Sequence, residues 1–367
     1  MHISSIELSN FRNYEHALID FSEGINLFYG KNAQGKTNIL EAVSLAATTR
    51  SHKGSKDRDM VRHTQEESHI RMFIKKNTGE HRLDLHLKKN GKKGIALDMV
   101  PVKRAGDIYG LLNIVVFSPE DLTMIKSGPK ARRRFLNQEL CQTDRLYFSN
   151  LARYQKCLLQ RASFLKTGDV EKFPEELDAW DMQLVFLGKQ IINSRKKFIS
   201  EISPIVNSIN KKISGGSEEI ELIYEPNVTE EDFEKTLAAT RARDIRMREN
   251  HVGPHRDDFS VMINGKDARL FGSQGQQRSA ALSLKLAEIE ILKEKTGEVP
   301  VLLLDDVLSE LDTDRQQMLF KGISGGQTLL TCTGLFDIER VNLCADRVFY
   351  VEEGTVTVKQ QQEDLHV

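Results

Sequence analysis

The sequence predicts an α/β fold in which both ends of the chain build one head and a mainly helical segment is inserted between them. Three observations predict it. Alternating apolar and polar residues near the N-terminus lead into a glycine-rich loop and then into a helical pattern. Apolar strands return after residue 299. Between these parts, a heptad-like apolar seam runs through residues 177–209.

The N-terminal part is interpreted as strands, one helix and a meander. Residues 1–30 alternate between apolar and polar, and residues 37–47 carry apolar side chains at helical spacing. Residues 69–102 alternate again across two turn signals, which is typical of an antiparallel meander. The continuous apolar run 111–117 predicts a strand that is buried on both faces.

The helical seam needs a packing partner, and residues 144–166 form the nearest helical stretch, so a helical hairpin is expected. The other predicted elements are strands at 219–224, 259–263, 299–304, 328–332 and 347–351 and helices at 230–242 and 276–294. The expected segments are residues 1–118 as the N-terminal part of the head with the meander, 119–216 as the helical insertion, and 217–367 as the C-terminal part of the head.

The composition is that of an ordinary folded protein whose charge is partitioned. Of 367 residues, 39% are hydrophobic and 29% charged, and the net charge is -1, which excludes disordered and collagen-like chains. No apolar run approaches the roughly 20 residues of a transmembrane helix, and the four cysteines lack metal-binding spacing. We therefore expect a cytoplasmic protein without a membrane partner. Residues 50–134 hold 20 basic and 10 acidic residues, whereas residues 298–367 hold 5 and 13.

Residues 30–37 fit the phosphate-loop pattern G-x-x-x-x-G-K-[ST], with a predicted strand before them and a helix after them. In such a loop the backbone N–H groups surround phosphates, the lysine bridges the β- and γ-phosphates, and the hydroxyl ligates Mg²⁺. The predicted cofactors are therefore ATP and Mg²⁺, with Lys36 as a catalytic and nucleotide-binding residue and Thr37 as a nucleotide and metal ligand. The other predicted nucleotide-binding residues here are Gly30, Lys31, Asn32, Gly35 and Asn38.

Residues 299–306 form an apolar strand that ends in Asp305 and Asp306. A carboxylate at the end of a parallel strand beside a phosphate loop can hold Mg²⁺, and its neighbour can polarise the attacking water. Asp305 is therefore predicted as a metal ligand and catalytic residue, and Asp306 as the general base. An isolated acidic pair is more often a solvated strand end, but the intact phosphate loop favours the catalytic interpretation.

A polar glycine loop, residues 271–278, opens the helix ahead of the Asp305 strand, and on its own Ser273 would be a helix cap. The order of phosphate loop, glycine loop, acidic strand and the following residues 309–312 resembles the ABC-type ATPases and, within them, the head domains of the SMC and Rad50 group. The resemblance implies an ABC-type ATPase head with a mixed sheet, an antiparallel β subdomain and a helical insertion domain. It also implies an ATP-dependent homodimer in which Ser273 and Gly275 of one copy meet the nucleotide held by the other.

Three positions depart from the transporters among these ATPases. Asp306 stands where transporters have glutamate, and its shorter side chain implies slow hydrolysis. Gln274 replaces a glycine of the signature loop. Thr333 is the nearest polar candidate where transporters have a switch histidine.

Seven segments resemble the recombination-mediator branch of the SMC and Rad50 group, whose arm is a short helical stub. They are residues 10–14, 30–37, 116–122, 128–134, 253–258, 273–278 and 304–312. The resemblance implies that Arg12 contacts nucleotide, that ATP drives dimerisation on double-stranded DNA near gaps, and that DNA stimulates a weak ATPase. It further implies cooperation with RecR and RecO in loading a recombinase on single-stranded gaps.

Two basic clusters predict contacts with DNA phosphates. Charge runs are usually solvated faces, but beside an ATPase that resembles a DNA clamp we interpret them as a duplex-binding surface, so nucleoid association is expected. The predicted DNA-binding residues are Lys88, Lys89, Lys92, Lys93, Lys130, Arg132, Arg133 and Arg134.

Three other functions stay open on the sequence alone: a transporter-type ABC ATPase subunit, a small-molecule kinase with a phosphate loop, and a DNA-binding architectural protein that does not hydrolyse ATP. A zinc site is a further alternative for the histidine- and aspartate-rich segment 251–258. Gly253 and Pro254 break helical spacing within it, so we expect a structured loop instead.

Overall fold

The computed structural model describes residues 1–167, 174–323, 325–334 and 343–359. The chain divides into two compact units, the first made of residues 1–122 and 288–367 and the second of residues 123–287. Within the described ranges, no helix is both long enough and apolar enough to cross a membrane.

The strands, in chain order, are β1 (His2–Phe11), β2 (Tyr14–Asp20), β3 (Ile25–Tyr29), β4 (Glu67–Lys76), β5 (Gly79–Lys88), β6 (Gly94–Leu97), β7 (Val100–Pro101), β8 (Ile114–Phe117), β9 (Ile220–Glu225), β10 (Asp258–Ile263), β11 (Lys266–Asp267), β12 (Val301–Asp305), β13 (Thr328–Cys332), β14 (Arg347–Glu352) and β15 (Thr355–Lys359). The α-helices are α1 (Lys36–Thr48), α2 (Asp57–Met60), α3 (Pro119–Leu122), α4 (Pro129–Thr143), α5 (Arg145–Thr167), α6 (Pro174–Ile213), α7 (Phe233–Met247), α8 (Ala268–Phe271), α9 (Gln274–Thr296) and α10 (Thr313–Gly322). Short 3₁₀ turns lie at Ala105–Ile108, Pro254–Arg256 and Val307–Glu310.

Two sheets and the helix between them organise the first unit. One sheet is antiparallel, in the order β2-β1-β4-β5-β6-β7, and the other has the order β15-β14-β3-β13-β12-β8. Helix α1 contacts strands of both sheets, and Ala42, Val43 and Ala46 on it are fully buried. Because α1 is covered on both sides, it is apolar around most of its circumference rather than along a single stripe.

The mixed sheet positions the candidate site. Its strands β8, β12, β13, β3 and β14 run parallel, and β15 pairs antiparallel with β14. Every residue of β12 and β13 is buried, which fits their continuous apolar sequence. Strand β13 lies between β3 and β12, so the ends of these three strands meet at one edge, where ligands of α/β folds bind.

The second unit is built on a helical hairpin and a small sheet. Helices α5 and α6 pack together, and Leu184, Leu187 and Ile191 of the predicted seam are buried. Helix α6 continues through Pro204. The antiparallel sheet β11-β10-β9 packs on α6 through β9.

The second unit is larger than the predicted helical insertion. It extends to residue 287 rather than 216, because β9 packs on α6 and pairs with β10, so the segment 217–287 groups with the helices instead of with the C-terminal part of the head. The elements without a counterpart among the individually predicted ones are helices α2, α3, α4, α8 and α10 and strands β11 and β15. Helix α7 extends to Met247, beyond the expected end at 242. The helical hairpin, the meander, the strand before the phosphate loop and the helix after it are confirmed.

Candidate functional site

The phosphate loop joins β3 to α1 and encloses its own lysine. The Nζ atom of Lys36 donates to the carbonyl oxygens of Gly30 at 2.7 Å and Lys31 at 3.0 Å, and Lys36 is only 3% exposed. Lys31 and Asn32, in contrast, are exposed on the rim of the loop. The fold therefore holds one buried ammonium group at the N-terminus of a helix, which is the electrostatic arrangement that binds phosphate.

Two turns hold the loop in place. Asn13 Nδ2 donates to the Gln34 carbonyl at 2.8 Å, and the Tyr14 hydroxyl donates to the Gly35 carbonyl at 3.1 Å. From the other side, the backbone N–H of Glu353 donates to Gln34 Oε1 at 2.7 Å. A Cβ atom on Gly35 would lie 2.7 Å from Asn13 and 2.8 Å from Tyr14, and its φ is +120°, so only glycine fits there. Asn38 donates to Asn13 Oδ1 at 2.8 Å and joins the same network.

The predicted metal ligands lie in direct contact although 268 positions separate them in the chain. Thr37 Oγ1 donates to Asp305 Oδ1 at 2.6 Å. The Thr331 hydroxyl lies 3.1 Å from the same oxygen and accepts the backbone N–H of Asp306 at 2.9 Å. The ammonium of Lys53 lies 3.8 Å from Asp305 Oδ2. A buried carboxylate is thus held by two hydroxyls on one oxygen and faces a cation on the other.

These groups fit the magnesium ion that the fold family implies. Mg²⁺ takes oxygen ligands, and phosphate-loop sites bind it through one or two protein oxygens together with the substrate phosphates. The Thr37 hydroxyl and the Asp305 carboxylate supply such oxygens beside the loop. Asp305 is 5% exposed, so the carboxylate is largely shielded from bulk water.

Thr331 was missed by sequence reasoning, which selected Thr333 two residues later. Thr333 is exposed, whereas Thr331 is fully buried in β13. The relevant signal would have been the strand order, which places β13 beside β12 and so brings Thr331 to the acidic pair. A role for Thr333 stays a prediction.

Arg12 is held by an acidic partner on α1. Its Nε and Nη2 atoms donate to the two carboxylate oxygens of Glu41 at 2.8 and 2.9 Å, and its Nη1 donates to the Asp59 carbonyl at 2.8 Å. Burial alone would raise the pKa of Glu41, but hydrogen bonds from Arg12 and Ser51 hold that pKa below its ordinary value. The guanidinium group of Arg12, the predicted nucleotide contact, is therefore held in one orientation by the buried Glu41 carboxylate.

Ser273 caps α9 in the second unit. Its Oγ accepts the backbone N–H of Gln276 at 3.2 Å, and Gln276 Oε1 accepts the Ser273 N–H at 2.9 Å, which is a capping box. The cap interpretation is thus confirmed, and Ser273 stays exposed, with Gly275 in the first turn. Leu270 and Phe271 beside it are 64% and 71% exposed.

The structure corrects the predicted DNA-binding set at Arg132. This side chain is 3% exposed and forms a bidentate pair with Asp258 at 2.7 and 2.8 Å, so its charge is already paired inside the protein. Arg133 is partly buried and donates to the Asp257 carbonyl at 2.7 Å. The burial of Arg132 could not be predicted from the run of basic residues, because successive side chains on a helix point in different directions.

Three of the four lysines in the cluster Lys88, Lys89, Lys92 and Lys93 also have contacts within the protein. Lys88 pairs with Glu67 at 3.0 Å, and Lys93 pairs with Asp57 at 3.0 Å. Lys89 donates to the His63 carbonyl at 2.7 Å. Of the predicted DNA-binding residues, Lys92, Lys130 and Arg134 are exposed, whereas the others are partly or fully buried.

Comparison with known proteins identifies the family. The family model described as the RecF/RecN/SMC N terminal domain matches residues 2–333. A curated relative from Lachnoclostridium phytofermentans, a DNA replication and repair protein RecF, is 52% identical over 97% of this chain and 99% of its own. The chain belongs to the RecF family.

Other RecF relatives extend the match. The RecF of Agathobacter rectalis is 50% identical over 98% of this chain and 99% of its own. A solved structure of the recombination mediator RecF with ATP is 36% identical, with a TM-score of 0.90 over 98% of each chain. An SMC head bound to the C-terminal winged-helix domain of ScpA is 16% identical with a TM-score of 0.58, which supports the fold alone. The predicted SMC-type head fold and the predicted resemblance to recombination mediators are confirmed.

Proposed function

We propose that this RecF-family chain binds ATP and Mg²⁺ at the phosphate loop, hydrolyses ATP slowly, and uses the cycle to dimerise on double-stranded DNA. The observation that carries the proposal is the 2.6 Å contact between Thr37 and Asp305, because residues so far apart in sequence meet at the end of the loop that holds Lys36. The RecF relative solved with ATP supports it, since it matches this chain over 98% of its length.

In the proposed mechanism the loop N–H groups and Lys36 would hold the phosphates, and Thr37 and Asp305 would hold the metal. When bound, Mg²⁺ neutralises charge on the phosphates. Asp306 acts as the general base for water, and its backbone is fixed by the hydrogen bond to Thr331. Its side chain is one methylene shorter than glutamate, so turnover is slow.

Dimerisation is proposed through the Ser273 loop. Ser273 is exposed at a helix N-terminus, so its hydroxyl and the first N–H groups of α9 can reach a phosphate held by a second copy. Leu270 and Phe271 next to it are exposed and adjacent, so they offer apolar surface that a partner could bury. A transporter subunit would need a membrane partner, and a kinase would need no second copy.

We also propose that the protein binds duplex DNA and acts with partner proteins. The exposed Lys92, Lys130 and Arg134 provide charge for duplex phosphates independently of base sequence. By its family, the protein would act with RecR and RecO to load a recombinase at single-stranded gaps, on the nucleoid in the cytoplasm. The solved relative's description as part of a RecFOR pathway supports this assignment.

The test is sedimentation and ATPase measurement with ATP, with and without duplex DNA. For the wild type we expect an ATP-dependent dimer and DNA-stimulated hydrolysis. Lys36→Met should abolish both and weaken nucleotide binding, whereas Ser273→Arg should abolish dimers and leave ATP binding within about twofold. Ser217→Arg, at another exposed serine of the second unit, is the matched control and should behave as wild type. A wild-type chain that stays monomeric with saturating ATP and DNA would exclude ATP-dependent dimerisation on DNA.

A further inference from the structure

Two histidines face each other on the antiparallel sheet of the first unit. His69 on β4 and His86 on β5 are directly paired in the strand register. Their rings are stacked, with centroids 4.1 Å apart and planes inclined by 17°. Directly opposite side chains on one face of a sheet lie close enough to share a ligand.

Glu67 completes a group of three possible metal ligands. It lies two positions before His69, so both side chains project from the same face of β4. Its Oε2 lies 2.7 Å from His86 Nε2, and one ligand atom from each of the three residues lies within 4.8 Å of the others. Its Oε1 contacts Lys88 at 3.0 Å, which leaves Oε2 on the histidine side.

The surface beside these residues is concave. A cavity of about 430 Å³ is lined by both histidines and by an ionic bridge in which Arg71 contacts Glu7 at 2.8 Å and Asp84 at 2.9 Å. Both carboxylates of this bridge are already paired with arginines, since Asp84 also pairs with Arg82 at 2.7 Å. The cavity gives space for the water that would complete a four-coordinate ion.

We propose that Glu67, His69 and His86 bind a divalent transition metal of the zinc class. Two imidazole nitrogens and one carboxylate oxygen form a donor set that suits Zn²⁺, Co²⁺, Ni²⁺ and Cu²⁺, whereas Mg²⁺ takes oxygen ligands. The site shares no residue with the proposed magnesium site at Thr37 and Asp305. A bound ion cross-links β4 and β5, so it stabilises the sheet that covers one side of α1.

The experiment is calorimetric titration of the full chain with Zn²⁺, followed by the visible spectrum with Co²⁺. We expect one Zn²⁺ per chain, a raised thermal unfolding midpoint, and the absorption of a tetrahedral Co²⁺ complex. His69→Ala and His86→Ala should each weaken Zn²⁺ binding at least tenfold. Glu67→Gln keeps the size of the side chain and should weaken binding with the fold intact. Mg²⁺ should not compete.

The matched control is His81→Ala. His81 lies on the same strand as His86 and contacts Asp98 at 2.9 Å, but that pair offers only two ligands. We expect the Zn²⁺ affinity of His81→Ala to equal that of wild type. Equal Zn²⁺ affinities of wild type, His86→Ala and Glu67→Gln, with circular dichroism showing all three folded, would overturn the proposal. So would the loss of binding in His81→Ala alone.

Discussion

One hydroxyl group fixes the acidic end of β12. Thr331 contacts the Asp305 carboxylate and holds the Asp306 backbone, which turns into the left-handed region at φ +50°. A non-glycine residue there is strained and needs such support. The orientation of the proposed general base therefore depends on a neighbouring strand.

Replacing Thr331 should damage hydrolysis more than folding. Thr331→Val keeps the shape of the side chain but removes both hydrogen bonds. We therefore expect ATP turnover to fall about tenfold or more. The free energy of unfolding should fall by only about 1–2 kcal/mol. Single-turnover ATPase and urea unfolding measure the two effects. Thr328→Val on the same strand is the control, because within the described residues the buried Thr328 hydroxyl has no hydrogen-bond partner. Equal turnover in the two variants would contradict the role of Thr331.

A partly buried histidine makes stability depend on pH. His255 Nε2 donates to the Asn250 carbonyl at 3.2 Å, and Nδ1 accepts the Tyr154 hydroxyl at 2.8 Å, which is the neutral form of the ring. Burial lowers the pKa of His255 to about 4. Between its ordinary pKa near 6.5 and pH 4 the unfolded chain binds a proton that the folded chain does not, so the free energy of unfolding falls as the pH falls through this window.

We expect His255 to contribute a loss of about 2 kcal/mol in the free energy of unfolding between pH 7 and pH 5. His255→Gln retains an acceptor and a donor but does not titrate, so its stability should fall by less over this range. Urea unfolding at several pH values compares the two proteins. Parallel pH curves would show that His255 is not the group responsible.

At the level of elements, the helical unit depends on close packing at α6. Gly188 lies where the Phe233 ring of α7 approaches, and a Cβ atom there would be 2.2 Å from the Phe233 Cε1 atom. Glycine is otherwise costly inside a helix, by about 1 kcal/mol relative to alanine. Glycine at this position therefore lowers the stability of α6 but allows α6 and α7 to pack closely.

Gly188→Ala should destabilise the protein by about 1–3 kcal/mol, because overpacking outweighs the gain in helix propensity. Thermal unfolding measures the change. In a Phe233→Leu background the smaller side chain makes room for the methyl group, so the same substitution should then cost less. An identical cost in both backgrounds would show that the contact with Phe233 is not its origin.

At the level of the whole molecule, the near-zero net charge hides a basic and an acidic part. Residues 50–134 have 10 more basic than acidic residues, but burial and ion pairs already use several of these charges, Arg132 above all. Effective contacts with phosphate are therefore fewer than the residue count suggests. DNA affinity should depend on exposed groups such as Arg134 and fall steeply with salt.

Arg134→Gln should weaken duplex binding for all DNA sequences and reduce the slope of log K against log salt by about 1. Lys321→Gln, in the acidic part, is the control of equal charge change and should leave the slope unaltered. Fluorescence anisotropy over a range of salt concentrations, with ATP present, compares them. Equal slopes for Arg134→Gln and wild type would remove Arg134 from the DNA surface.

The features that could be predicted from the sequence are those that depend on residues close together in the chain. The phosphate loop, the acidic end of β12, the apolar seam of α6 and the meander follow from local spacing, which fixes periodicity and turn geometry. The order of these motifs along the chain was also enough to predict the family.

Contacts between groups far apart in the chain could not be predicted from the sequence, because they depend on how the elements pack. Strand order brought Thr331 to Asp305, the register of β4 and β5 set His69 against His86, and packing buried Arg132 against Asp258. These contacts depend on side chains many positions apart. Local pattern does not encode them, because the direction of a side chain becomes a contact only when a second element is placed against it.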